Sequence, residues 1–273
     1  MNQNQDKFVT LDSVADLFFG CKTGKNSYFY PSDDLIAEYD LPDEYLHPTV
    51  KTPRSLDRPL VTEDDLSTQM LLIPEDPGHP ALNQYIKYGE EEGVQNGSTV
   101  SSRDPWYSLT SEVKQARVFW QMTHYTEHIA YYSEEPHYLD ARFYGIIPDE
   151  NSDADSELIA AILNATYYAL VKIISGREMS GRSVDTKVYE VAKYLIPDPD
   201  EISTENKQRL RDAFDELKDR DSEAIFDEFD DPARQKLDSV LFDILDLSEE
   251  EREEVYDGVE RLTRQVRERD KQR

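Results

Sequence analysis

The chain has 273 residues, 38% of them hydrophobic, with 17 Tyr and 10 Phe. That is enough for one large domain or two small ones, and it excludes wholesale disorder. Its 58 Asp and Glu outnumber its 30 Lys and Arg, for a formal net charge of −28, whereas a nucleic-acid binder is ordinarily basic.

The single cysteine, Cys21, excludes an intrachain disulfide. No apolar run of about 18 residues exists to span a membrane. The acidic excess is spread along the whole length rather than gathered in a tail. That distribution resembles the acidity of salt-accumulating halophiles, whose carboxylates keep protein surfaces hydrated. At about 1 M salt the Debye length is about 3 Å, so long-range repulsion from a polyanion is mostly screened. The net charge then speaks of solubility and host cytoplasm more than of the partner. The N-terminus is polar and lacks an apolar core segment, so a cytoplasmic location is expected.

Residues 1–7 read as a polar lead-in. Phe8 to Phe19 alternates loosely and predicts a short strand followed by a helical turn. The run from Gly20 to Tyr30 then has the form G-x-K-T-G-x-N-x-x-F. Gly24 suits a tight turn with positive φ. Lys22 and Lys25 can reach phosphates, and Thr23 and Asn26 can bond phosphates or base edges. An ordinary polar hairpin turn explains the same run. The full phosphate-loop pattern G-x-x-x-x-G-K-S/T is absent. Pro31, Pro42, Pro48, Pro53 and Pro59 favour loops and extended chain after it.

Met70 to Pro74 predicts a strand. Pro80 to Gly93 predicts a helix, with Ala81, Leu82, Tyr85 and Ile86 at helical spacing and a stop at Gly89 or Gly93. Beyond it, Arg103 can grip guanine or phosphate, and Trp106 and Tyr107 can stack on a base or sugar or pack as core. Val118 to Ile147 reads as a hairpin or meander with a turn at Ser133-Glu134-Glu135-Pro136. Within it, His124 to His128 spells H-x-x-E-H. Zinc hydrolysis needs that motif on a helix, and this segment reads as strand, so no metal site is expected. Acidic clusters such as Asp33-Asp34 and Glu63-Asp64-Asp65 read as solvated surface.

Asp155 to Ser175 predicts one helix, capped by Asp153 or Asp155 and stopped at Gly176. Asn164 within it is expected to bond a neighbouring backbone group. Arg177 to Arg182 reads as a Gly-containing loop with an arginine at each end, open to phosphate or to solvent. A second helix is expected over about residues 185–195. From Ser203 the charge rises and apolar residues recur every three to four positions, through Leu210, Phe214, Leu217, Leu237, Leu241, Val255 and Val259. At least three helices follow, with Ser203 as an N-cap and Ser248 opening a capping box.

Three blocks carry a family resemblance. The first is Lys22-Thr23-Gly24-Lys25-Asn26-Ser27-Tyr28-Phe29, continued by Tyr39 to Pro48 and by Lys51-Thr52-Pro53-Arg54. The second is Tyr85-Ile86-Lys87-Tyr88-Gly89-Glu90 leading to Ser102-Arg103-Asp104-Pro105-Trp106-Tyr107. The third runs from Ala160-Ala161-Ile162-Leu163-Asn164-Ala165 through Gly176-Arg177 to Ile196-Pro197-Asp198-Pro199. Together they resemble the C-terminal target-recognition region of adenine-specific DNA methyltransferases of restriction–modification systems.

The resemblance covers about residues 8–200 and implies a mixed α/β, strand-rich DNA-recognition domain there; with the acidic helical appendage that the apolar spacing predicts over 203–273, the expected fold is α+β. It implies double-stranded DNA as partner, met by Lys22, Thr23, Lys25, Asn26, Lys87, Arg103, Trp106, Tyr107, Arg177 and Arg182. In this family the catalytic domain precedes this region, whereas here only residues 1–7 precede Phe8. There is no N-P-P-Y or D-P-P-Y segment and no Gly-rich cofactor loop. No catalytic residue and no cofactor are therefore expected in this chain, with S-adenosylmethionine entering only through a partner methyltransferase catalytic subunit. Two alternatives stay open: one part of a split adenine-N6 methyltransferase, or an acidic protein-interaction module that never meets DNA.

Overall fold

The computed structural model describes residues 7–179 and 183–271. In chain order it runs β1 (Phe8–Thr10), β2 (Ala15–Phe19), α1 (Asn26–Phe29), α2 (Asp33–Tyr39), β3 (Leu46–Val50), β4 (Gln69–Leu71) and α3 (Pro80–Glu91). Next come β5 (Gln115–Gln121), β6 (Thr123–His124), β7 (Ala130–Leu139), β8 (Phe143–Pro148), α4 (Ser156–Asn164) and α5 (Thr166–Ser175). The chain closes with β9 (Arg177–Met179), β10 (Ser183–Asp185), α6 (Val188–Val191), β11 (Leu195–Pro197), α7 (Thr204–Leu217), α8 (Pro232–Leu245) and α9 (Glu249–Lys271). The fold is α+β, as the sequence implies.

A six-stranded sheet in the order β2-β8-β5-β7-β3-β4 forms the centre, antiparallel except where β3 runs parallel to β7. Strand alternation sends Val118 and Trp120 of β5 to one face and Phe119 to the other. The first face packs under Leu158, Ile159 and Ile162 of α4 and, beyond them, Leu210 and Phe214 of α7 and Leu241 of α8. The second face is covered by Leu56 and Val61 of the proline-rich segment. A separate aromatic cluster joins Tyr28 and Phe29 to Leu82 and Tyr85 of α3.

Several expectations are corrected. The proline-rich stretch holds no long helix, as expected, but a short one, α2, fits between Pro31 and Pro42, with the Ser32 hydroxyl capping the Leu35 amide at 3.4 Å. Ser133 to Pro136 make no hairpin turn. They bulge from β7, because Ala116 pairs with His137 while Val118 already pairs with Tyr132. Pro136 has no amide to give a ladder, so a bulge accommodates it, and Ser133 Oγ lies 3.0 Å from His137 Nε2.

The region 185–195 is not one helix. Val184 pairs with His124, and Leu195 to Pro197 pair with Phe8 to Thr10. These distant strand partners override the local helical spacing and leave the four-residue α6 between them.

The predicted helix over 155–175 breaks at Ala165, whose ψ is 148°, and α4 and α5 meet at a bend of 74°. Asn164 anchors the break by donating from Nδ2 to the carbonyls of Ala130 (2.7 Å) and Ala160 (2.8 Å) while accepting the Ala130 amide (3.1 Å). Helix α8 caps both broken ends: Arg234 donates to the Asn164 carbonyl, and Asp238 accepts the Thr166 amide (2.7 Å) and hydroxyl (2.6 Å). The Arg234 cation at the C-terminus of α4 suits the helix dipole, and Asp238 supplies acceptors to the N-terminus of α5. Among the described residues no single helix is long and apolar enough to cross a membrane. The C-terminal helices start as read, with Ser203 Oγ accepting from the Asn206 amide at 3.2 Å and Ser248 exchanging bonds with Glu251.

Candidate nucleic-acid interface

The Lys22–Asn26 segment leaves the central sheet where β2 ends. Gly20 there lies against the β7–β8 turn, and a Cβ on it would sit 2.1 Å from the Asp140 carbonyl oxygen. Only glycine lets the two backbones come this close. The Cys21 amide then donates to Leu139 (2.7 Å), and the Ala141 amide returns a bond to Cys21 (3.0 Å). Burial pushes the Cys21 thiol up to about 12, so it is no nucleophile. Gly24 has φ 79°, the left-handed turn that the motif predicts. Thr23 is buried, and its hydroxyl donates to Asn26 Oδ1 at 2.5 Å. Lys22, Lys25 and Asn26 are exposed.

Arg103, expected to reach guanine or phosphate, turns inward. Its side chain is 3% exposed. Nη1 donates to the Thr23 carbonyl (2.8 Å), Nη2 to the Lys22 carbonyl (2.7 Å), and Nε meets both Glu112 oxygens at 2.9 Å. The guanidinium also lies 5.5 Å from the Phe29 ring. Arg103 therefore fixes the loop's shape from beneath.

Trp106 is half-buried, 5.3 Å from Tyr28, which stacks on Tyr85 at 4.7 Å. Tyr107 donates its hydroxyl to the Glu75 carbonyl (2.9 Å). Both aromatics thus support the core under the loop. Lys87 is exposed on α3, 4.0 Å from Glu91. Arg177 lies apart, on the small β6-β10-β9 sheet, paired with Glu190 at 2.8 Å and bonded to the Tyr189 hydroxyl at 3.1 Å. Arg182 lies outside the described residues.

The structure adds residues that the motifs alone do not single out. Asp140, buried in the β7–β8 turn, accepts from the Tyr30 hydroxyl (3.0 Å) and from Arg142 Nη1 (3.0 Å). Arg142 Nη1 also donates to the Lys51 carbonyl (3.1 Å), and Lys51 Nζ stands 4.7 Å over the Tyr30 ring. Burial first, and the Asp140 charge next, push the Tyr30 phenol far up, so it stays a neutral donor. Lys51 and Arg54 belong to the quoted Lys-Thr-Pro-Arg run, so the sequence held a signal for them. Arg142 sits in no motif.

Most described lysines and arginines outside this region are paired with carboxylates, from Arg58 with Asp65 (3.1 Å) to Arg264 with Glu260 (2.7 Å). Lys22, Lys25, Lys51 and Arg54 have no carboxylate within 4.0 Å among the described residues; Lys7, Arg261 and the buried Lys172 are the other exceptions. In a chain of charge −28, the first four of these cations, on the segments that follow β2 and β3, form a rim left without carboxylate partners among the described residues.

The H-x-x-E-H segment is not helical. His124 ends β6, and His128 Nε2 lies 2.8 Å from the Leu163 carbonyl. Burial drives both imidazoles well below their usual range, and the nearby Lys172 adds to it. Among the described residues no three His, Cys, Asp or Glu side chains gather to hold a metal.

A family model described as Type II methyltransferase M.Eco57I, C-terminal domain, matches residues 2–232. The Type II methyltransferase M.AccI of Acinetobacter calcoaceticus is 26% identical over 117 residues, which cover 39% of this chain and 22% of M.AccI. The structure of the type IIG restriction endonuclease BpuSI superposes with a TM-score of 0.70 at 15% identity, covering 96% of this chain and 31% of that one. The likeness to BpuSI is one of fold. The chain spans 22% and 31% of the lengths of these two relatives.

Proposed function

Since the chain belongs to the family of the Type II methyltransferase M.Eco57I C-terminal domain, we propose that it is the part of a restriction–modification adenine DNA methyltransferase that grips the duplex and reads its sequence. The observation that carries this reading is the rim of unpaired cations, Lys22, Lys25, Lys51 and Arg54, on an otherwise anionic protein. Asn26 would read a base beside them: its Nδ2 can donate to adenine N7, and its Oδ1, which already accepts the Thr23 hydroxyl, has a second lone pair for N6. Arg103 and Thr23 hold the loop, and Trp106 and Tyr107 hold its underside. Methyl transfer and S-adenosylmethionine belong, on this reading, to a separate catalytic region that meets the same duplex. The partner is then double-stranded DNA together with that catalytic region, in the cytoplasm of a salt-rich host.

Selection from a randomised duplex library in high KCl tests the proposal. A sequence should be enriched. Replacing Lys22, Lys25, Lys51 and Arg54 together by alanine should lower the slope of log affinity against log salt by about 3 to 4, at about 0.9 for each phosphate left without its cation. No enrichment, or an unchanged slope in the fourfold variant, would sink it.

A further inference from the structure

Next to the rim lies a cavity of about 420 Å³, walled by Thr52, Pro53, Arg54, Met122, Thr123, Tyr125 and Arg142. It is in the size range of small-ligand sites, about 300 to 1,000 Å³. Its chemistry differs from that of three other surface cavities. Cavities of about 490, 470 and 260 Å³ are lined respectively by Asp149, Glu150, Asp155 and Glu157, by Asp12, Asp16 and Asp149, and by Asp198, Glu201 and Asp243. This one has no carboxylate in its wall and two arginines instead. In a chain with 58 acidic residues, such a wall selects an anion.

The arginines are available. The Arg54 guanidinium bonds no other described residue, and its backbone is held by the Thr52 hydroxyl at 3.4 Å. Arg142 uses Nη1 on Asp140 and Lys51, which leaves Nη2 and Nε open on a side chain 51% exposed. Tyr125 supplies a flat face: it is 56% exposed, one of the few large hydrophobic side chains in that state. The Met122 amide donates to the Arg142 carbonyl (2.8 Å) and its carbonyl accepts from Thr186 (3.1 Å), so the backbone beneath is fixed.

We propose that this cavity receives a single nucleotide of a DNA strand that has left the helical stack. Its base lies on Tyr125 and its phosphate between Arg54 and Arg142. An anion joined to a planar ring matches a guanidinium pair beside an exposed phenol. A stacked base pair inside a duplex cannot enter a concavity, whereas an unpaired nucleotide can. The inference rests on the duplex-gripping function, because the cavity opens beside the rim that would hold the duplex.

The test compares three probes by fluorescence anisotropy: an intact duplex, the same duplex with one bulged nucleotide, and a free deoxynucleoside monophosphate as competitor. Wild-type protein should bind the bulged duplex about tenfold more tightly than the intact one, the scale of one base stacked on an aromatic ring. Tyr125→Ala should erase that preference and leave intact-duplex affinity unchanged, and Tyr125→Phe should keep it. Equal affinity for the two duplexes, or a preference that survives Tyr125→Ala, overturns the cavity assignment while leaving the duplex function standing. Tyr125-dependent binding of the free monophosphate without any bulge preference also overturns it, since the occupant is then a soluble nucleotide. Failure to bind either duplex overturns the function itself and the cavity assignment with it.

Discussion

Asp238→Ala should cost about 3 to 5 kcal/mol of folding stability. The Asp238 side chain is fully buried in α8 and accepts from the Thr166 amide (2.7 Å), the Thr166 hydroxyl (2.6 Å) and the Tyr256 hydroxyl (3.0 Å). Alanine leaves two buried Thr166 donors and the half-buried Tyr256 hydroxyl without a partner, the buried ones costing about 1 to 3 kcal/mol each before relaxation. It also uncaps α5 at the break with α4. The three losses share one site, so their sum is less than threefold. Burial raises the Asp238 carboxyl above its ordinary value, against the lowering effects of Arg234, Thr166 and Tyr256. A raised acid contributes stability when protonated, below the unfolded value of about 3.9, and loses it as pH climbs through the raised value. The negative charge is therefore not what this site gains from Asp238 at neutral pH. Asp238→Asn keeps an acceptor for the Thr166 amide, and both hydroxyls can turn to accept from its NH₂. It should cost under about 1.5 kcal/mol at pH 7. Asp243 on the same helix pairs with Arg209 (3.1 Å) and Arg252 (2.9 Å) but is 41% exposed, so Asp243→Ala should cost under about 1 kcal/mol. Urea denaturation of the three variants at pH 7 measures all of this. If Asp238→Ala costs no more than Asp243→Ala, the double capping of the α4–α5 break does not hold the fold.

Arg103→Lys should lower stability by about 1 to 3 kcal/mol, because one ammonium cannot serve two carbonyls and Glu112 in the guanidinium's fork geometry. It should weaken duplex binding without changing its salt slope, whereas Lys25→Ala should reduce that slope by about 0.9; equal slope changes in the two would show Arg103 touching phosphate. Both ring nitrogens of His124 are buried without a hydrogen-bond partner, and burial keeps the ring neutral in the fold. The unfolded chain takes up its proton below about pH 6.5, so stability present above that pH is lost as pH falls, by up to about 1.4 kcal/mol per unit for this group. His124→Phe should flatten the decline between pH 6.5 and 5, measured by thermal unfolding across that range; an unchanged decline refutes the assignment.

The sequence signals that survived folding are short-range ones. Gly24 takes its positive φ, Ser203 and Ser248 cap their helices, and the apolar spacing of Leu158, Ile159 and Ile162 becomes the face of α4 on the sheet. What failed depended on residues far along the chain. The break after Asn164 is built by Ala130, Arg234 and Asp238, none of which leaves a mark on the periodicity of residues 155–175. The bulge at Ser133–Pro136 carries the same residues as a turn, and only the pairing of β5 tells them apart.

The candidate site divides the same way. The G-x-K-T-G-x-N run marks the loop, because a turn needing Gly24 and cations beside it are local properties. The role of Arg103 depends on carbonyls about 80 positions earlier, and the place of Arg142 beside Lys51 depends on β3 running parallel to β7.

The net charge, which argued against DNA when read from composition, acts differently once its placement is known. Pairing removes most cations from play: Lys114 meets Asp16 at 2.6 Å, Lys236 meets Glu216 at 2.6 Å, and Arg252 meets Asp243 at 2.9 Å. Such surfaces stay anionic in sum and repel a phosphate backbone that approaches them. At the roughly 1 M salt of a salt-rich host that repulsion reaches only about 3 Å, so it cannot prevent contact at the rim. It does penalise approach by the paired faces, and on the proposed reading this would narrow the orientations tried on the duplex. For a recognition module this is an asset, since non-specific affinity comes almost wholly from phosphate contacts. On the proposed reading, four unpaired cations would hold the duplex weakly, and the weight of discrimination would fall on groups that touch bases.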